Sequence, residues 1–220
     1  MSTAFVVGAT GGVGAELVRI LGETQHFQKI VILARRNVDN AQGEKFDQQT
    51  IDFDKLEEHA ASFEKVDVGF CALGTTRAKA GSAEGWYKVD HDYVVNTAKL
   101  AKKNGVKQFV LVSASIASES SPFLYTKTKG QVEREVREIG FEKLVIMRPG
   151  LIEVNRERQE VRYGEVLAKI ILTPFKLFSD NLASTATQVA QAMIVAAKSP
   201  ESGTMIWNNA KIVKEAKGFE

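Results

Sequence analysis

The chain has 220 residues, 44% hydrophobic and 25% charged, with a formal net charge of +2. This is enough chain for a well-filled core. It lacks the basic excess of an electrostatically driven nucleic-acid binder, so no nucleic-acid partner is expected. The single cysteine, Cys71, excludes an internal disulfide and multi-cysteine zinc sites.

His26, His59 and His91 lie far apart, so no metal is expected. No apolar run reaches membrane-spanning length, so no integral membrane segment is expected either. Residues 1–7 already read as a strand, with no targeting peptide ahead of it. A reducing, cytoplasmic compartment is the expectation.

In chain order, residues 4–7 form an apolar strand that stops at Gly8. The turn Gly8-Ala9-Thr10-Gly11-Gly12-Val13-Gly14 follows, then a helical stripe at Leu17, Val18 and Leu21. Residues 29–33 read as a second strand, 34–49 as polar and irregular, and 50–53 as a third strand. Residues 54–63 read as a helix capped by Asp54. A fourth strand, 66–73, runs into Gly74-Thr75-Thr76. A long helix over 86–104 closes at Gly105. Then come a strand at 108–112, a serine-rich loop at 113–123, a helix over 125–139 and a strand at 144–147. Beyond Arg148-Pro149-Gly150, residues 165–172 and 185–197 read as helical and 204–207 as a late strand.

Strands alternating with helices, each a continuous apolar run, predict an α/β fold with a doubly wound parallel sheet. Residues 1–150 form its dinucleotide-binding core, and 151–220 a short segment completing the domain on the substrate side.

Gly8, Gly11 and Gly14 stand between a strand and a helix, where glycines let the backbone approach a pyrophosphate at a helix N-terminus. Thr10, Gly12 and Val13 share that turn. The second strand ends in Arg35 and Arg36, where an NAD site usually has a carboxylate. A guanidinium suits a 2′-phosphate, so NADPH is expected over NADH. Arg35 takes that role; Arg36 either shares it or is solvated. Asp52, beside Phe53, either accepts from the adenine amino group or caps the next helix.

Tyr125 and Lys129 stand four residues apart, on one helix face. An ammonium beside a phenol favours the phenolate, so Tyr125 can serve as acid and base for a carbonyl/alcohol pair. Cys71 reads as a small buried hydrophobe, and Trp86 and Tyr93 as core.

The order of glycine turn, Tyr125/Lys129 and Arg148-Pro149-Gly150 resembles the short-chain dehydrogenase/reductase superfamily, in its extended or atypical branch. More narrowly, Phe70-Cys71-Ala72-Leu73-Gly74-Thr75-Thr76-Arg77, Val89-Asp90-His91-Asp92-Tyr93 and Phe123-Leu124-Tyr125 are similar to the Tat-interacting protein family. The resemblance implies a Rossmann fold, NADPH, a small-molecule carbonyl substrate and regulatory protein partners. It implies that Leu73, Gly74 and Thr75 lie along the cofactor, with Arg148, Pro149 and Gly150 at its nicotinamide end. Ser113 or Ser115 polarises the substrate carbonyl. Asp90 stands where extended members often carry an active-site asparagine. Arg162 is read as a surface ion-pair residue ahead of a ligand for a substrate anion, and the apolar stretch 170–178 as core or pocket lining ahead of a peripheral membrane contact.

Two functions follow as expectations. One is NADPH-dependent carbonyl/alcohol hydride transfer; the other is NADPH-binding regulation through protein partners. The charge-rich helix over 125–139 carries only the apolar stripe Val132, Val136 and Ile139, so a monomer is expected.

Overall fold

The structure is a computed structural model that describes residues 1–39, 41–153 and 183–219. Its central strands grow from runs that are apolar on both faces. They are β1 (Ser2–Val7), β2 (Phe27–Ala34), β4 (Val68–Cys71), β5 (Gln108–Val112) and β6 (Lys143–Arg148), and most of their residues are buried. β3 (Phe46–Thr50) and β9 (Gly203–Asn208) are more polar and more exposed, as edge strands can be. The seven form one sheet in the order β3-β2-β1-β4-β5-β6-β9, every pairing parallel. β7 (Leu151–Glu153) and β8 (Ala183–Thr185) pair separately.

Helices cover both faces. α1 (Gly12–Glu23) and α6 (Ala186–Lys198) share one core with Val6, Ile30, Ile32, Phe70 and Trp207. On the other face, a 3₁₀ segment (Phe53–Phe63), α4 (Tyr93–Lys103) and α5 (Leu124–Glu138) pack on Phe5, Val7, Leu33, Phe109 and Ile146. Phe5 meets Phe63 edge-on at 5.0 Å and Phe109 at 6.3 Å. Each such fully buried ring contributes about 1.5–3 kcal/mol. The remaining helices are α2 (Arg77–Ala80), α3 (Ala83–Tyr87), which runs through a π turn (Lys88–Asp92) into α4, and α7 (Asn209–Ala216). This is the doubly wound α/β sheet expected from the sequence.

Three local expectations are corrected. The third strand is Phe46–Thr50, upstream of 50–53, because an edge position accepts a polar strand. Gln48 fastens the preceding loop to it, its Oε1 accepting from Val38 N at 2.8 Å and its Nε2 donating to Ala41 O at 2.7 Å. The cap of the following segment is Asp52, not Asp54. α7, absent from the sequence reading, starts at an Asn208 cap. The helix expected over 165–172, Arg162 and the apolar stretch 170–178 lie outside the described residues.

Candidate active site

The carboxyl ends of β1 and β4 meet where the chain reverses its direction of winding, the usual place for a ligand in such a sheet. Gly8 has φ +84°, and a Cβ on it would fall 2.4 Å from Ala72 C and O and 2.6 Å from Leu73 N. A Cβ on Gly14 would fall 2.1 Å from Gly8 O. No side chain fits at either place without moving backbone. Gly11 donates to Gly8 O at 3.0 Å and is the N-cap of α1, with no side-chain acceptor there and no acidic residue in the first turn. Thr10 and Gly11 are exposed, Gly12 is half-buried and Val13 is buried. A bare helix N-terminus over a backbone-only cradle fits a dinucleotide pyrophosphate.

Arg35 and Arg36 are exposed just past β2, and neither forms an ion pair among the described residues. Asp52 Oδ1 accepts from Asp54 N at 2.9 Å, so this carboxylate is the cap. Phe53 is buried and stacks on Tyr93 at 5.1 Å, with its face turned to the helix layer.

Tyr125 and Lys129 occupy the first two turns of α5. Tyr125 is half-buried, its ring 5.9 Å from Trp86, and its hydroxyl makes no hydrogen bond among the described residues. Lys129 is buried and pairs with Asp90 at 2.8 Å. Burial works against the ammonium, but Asp90 above all, then Tyr125 and Cys71, hold its pKa above the ordinary lysine value. This corrects the picture of an unopposed ammonium, because Asp90 balances its charge beside the phenol. Asp90 Oδ2 also accepts from Thr75 N at 2.7 Å, and Trp86 Nε1 donates to Thr75 O at 3.1 Å. Leu73 and Thr75 are half-buried and Gly74 exposed, on the loop beside Gly8.

The two serines separate. Ser113 is buried, and its hydroxyl donates to Glu133 Oε1 at 2.6 Å. Its proton is committed to a carboxylate, so it has none to offer a carbonyl. Ser115 is exposed; its backbone N–H donates to Pro149 O at 2.8 Å and its hydroxyl has no partner among the described residues. Arg148 Nε and Nη2 donate to Glu133 at 2.9 and 2.6 Å, so the guanidinium braces β6 against α5. Pro149 is buried, and Gly150 N donates to Asn209 Oδ1 at 2.9 Å. Burial pushes the Cys71 thiol up to about 12, which leaves it inert.

Two residues that shape this site were not legible. Glu133 sits beside the apolar stripe of a charge-rich helix, and only its pairing with Arg148, fifteen positions on, reveals it as buried. Trp86 was read as core; it is buried, yet its indole N–H faces the site.

A family model described as NAD(P)H-binding matches residues 8–200. Protein HTATIP2 of Rattus norvegicus is 42% identical over 208 residues, covering 91% of this chain and 83% of that protein. Protein FMP52, mitochondrial, of Candida albicans is 40% identical over 174 residues, covering 78% of this chain and 75% of its own length. Among solved structures, MoeE5 in complex with UDP-glucose and NAD superposes with a TM-score of 0.70 at 15% identity, covering 94% of this chain and 75% of that one. At that identity the likeness speaks for the fold alone. The cytoplasmic expectation is overturned by the FMP52 relatives, whose names carry the word mitochondrial. Cysteine count and net charge report redox conditions and solubility, not an address within the cell. No helix among the described residues is long and apolar enough to cross a membrane.

Proposed function

The chain belongs to the NAD(P)H-binding family, and from that premise we propose that it is an NADPH-dependent oxidoreductase acting on a carbonyl/alcohol pair. The observation that carries this is Tyr125. Its hydroxyl is unengaged among the described residues and stands one helical turn from a buried, charged Lys129. Ser115, with its free hydroxyl, takes the carbonyl-polarising role. The glycine turn holds the pyrophosphate, Arg35 and Arg36 the 2′-phosphate, and Lys129 the ribose, using donors that Asp90 leaves free. NADPH supplies the hydride. Tyr125 supplies or takes the proton at the substrate oxygen. The relatives named mitochondrial support residence in mitochondria. The outward charges of α5, where Arg134 pairs with Glu119 at 2.8 Å and Glu138 at 3.1 Å, support a monomer.

One observation favours a second reading. Asp90 balances Lys129, which weakens the drive toward a phenolate and suits an NADPH-binding regulator that works through protein partners with little turnover. Tyr125→Phe separates the two. We expect it to bind NADPH as the wild type does, by calorimetry, and to lose reduction of a panel of aldehydes and ketones. Reduction that persists in Tyr125→Phe would refute the acid/base assignment. A wild type that binds NADPH and reduces nothing leaves the regulator reading standing.

A further inference from the structure

We propose that Trp86 and Asp90 are positioning residues that join the strand end along the dinucleotide to the Tyr125/Lys129 pair, so that both are held as one unit. This rests on the oxidoreductase reading only for its effect on turnover. Its geometry stands alone. The peptide groups of one residue, Thr75, are gripped at both ends: its N–H donates to Asp90 Oδ2 at 2.7 Å, and its C=O accepts from Trp86 Nε1 at 3.1 Å. Each grip continues to the acid/base pair. Asp90 Oδ1 pairs with Lys129 at 2.8 Å, and the Trp86 ring lies 5.9 Å from that of Tyr125. Thr75, Asp90, Lys129, Tyr125 and Trp86 therefore close a ring.

The backbone arranges this. Trp86 lies one residue before the end of α3, and Asp90 sits inside the π turn Lys88–Asp92. Such wide turns are uncommon and concentrate at functional sites. The same turn is anchored to α5 a second time, where His91 Nε2 lies 3.1 Å from Glu135 Oε1. The Asp90 and Lys129 side chains are only 3% and 8% exposed, so each depends on the other for its charge.

A ring of this kind makes two demands that a brace for the fold alone does not. Loosening Thr75 must be felt by a dinucleotide at the glycine turn, because the backbone leading to Thr75 crosses Gly8 at Ala72 and Leu73. Removing the Asp90 charge must also change how Lys129 acts on Tyr125. The groups facing Lys129 are Asp90 from the π turn, Tyr125 from its own helix and the neutral Cys71 from β4. With Asp90 made neutral, the burial of Lys129 is no longer offset, and the ammonium beside the phenol gives up its proton at lower pH.

The test uses Trp86→Phe, Asp90→Asn and the double variant, with NADPH affinity measured by calorimetry on full-length protein of wild-type circular dichroism. Trp86→Phe keeps an aromatic ring and removes the N–H donor with a part of the indole, so it serves if Asp90→Asn does not fold. We expect each single variant to weaken NADPH about tenfold and the double variant to fall well short of a hundredfold, because both act on one peptide. In turnover, we expect Asp90→Asn to shift the alkaline limb of the pH–rate profile to lower pH while Trp86→Phe leaves that limb in place. Affinity within twofold of wild type in Trp86→Phe, or losses that multiply in the double variant, would overturn the proposal. If the affinities behave as expected and no carbonyl is reduced, the ring stands and the oxidoreductase reading falls.

Discussion

Glu133→Ala removes a carboxylate that joins the loop after β5, α5 and β6 at the edge of the site. The wild-type side chain is 1% exposed and accepts from Ser113 Oγ at 2.6 Å, Arg148 at 2.9 and 2.6 Å, and Arg137 at 2.9 Å. Arg137 is 37% exposed, and water replaces most of what it loses. Arg148, at 28%, recovers in part. Ser113 is buried and loses its acceptor outright, which costs about 1–3 kcal/mol. Breaking a buried pair from one side costs about 3–5 kcal/mol. The partial exposure of both arginines puts this case at the lower end, about 3 kcal/mol. For a domain of this size, the thermal midpoint should fall by about 6–12 °C. Urea unfolding should show a lower midpoint at an unchanged slope, which locates the loss in stability. Arg148 was expected at the nicotinamide; its anchoring by Glu133 predicts instead that folded Glu133→Ala binds NADPH within about threefold of wild type. A stability loss under about 1 kcal/mol would show that Glu133 acts as a surface ion pair does, and would refute the reasoning.

Other outcomes follow from the same geometry. Gly14→Ala drives a methyl group to 2.1 Å from Gly8 O, and is expected to cost about 1–3 kcal/mol of stability together with NADPH binding, read by calorimetry. Arg35→Ser should weaken NADPH by about tenfold or more and leave NADH unchanged, since each charge-assisted hydrogen bond contributes about 1.5–3 kcal/mol. Equal effects on both cofactors would remove the 2′-phosphate assignment. Ser115→Ala should lower turnover of any carbonyl that the wild type reduces, whereas Ser113→Ala should lower stability by about 1 kcal/mol and spare turnover. The Cys71 thiol, pushed up to about 12, should resist iodoacetamide at pH 8 in the native protein and react at the rate of unfolding. Because its folded value lies above the unfolded one, its contribution is complete below about pH 9 and is lost as pH rises toward 12.

What the sequence disclosed, it disclosed through constraints that are local. Gly8 and Gly14 are legible because a strand, a turn with no room for Cβ and a helix are contiguous in the chain. The buried runs of β1, β2, β5 and β6 are legible because both their faces are apolar. β3 was misplaced because an edge strand carries no such signature, and Phe46–Thr50 looks like loop until β2 lies beside it. In the site, Tyr125 and Lys129 declare themselves by spacing. The division of labour between Ser113 and Ser115 does not, because it depends on Glu133, twenty residues from Ser113 and otherwise one more acid on a charged helix. The charge state around Lys129 likewise depends on Asp90, a contact that only the packing of the π turn on α5 brings about.

The sharing of one core by α1 and α6 has a consequence for biogenesis. α1, Gly12–Glu23, leaves the ribosome long before its cover, Ala186–Lys198. At roughly 5–20 residues per second, the apolar side of α1 and the inner strands waits on the order of ten seconds for its partner. β9, which closes the sheet beside β6, arrives later still. Every residue proposed to hold the dinucleotide lies between Gly8 and Gly150, yet a nascent or truncated chain of that length has α1 without α6 on that face of its sheet. Until α6 is made, the apolar residues that it covers should therefore depend on a holding chaperone.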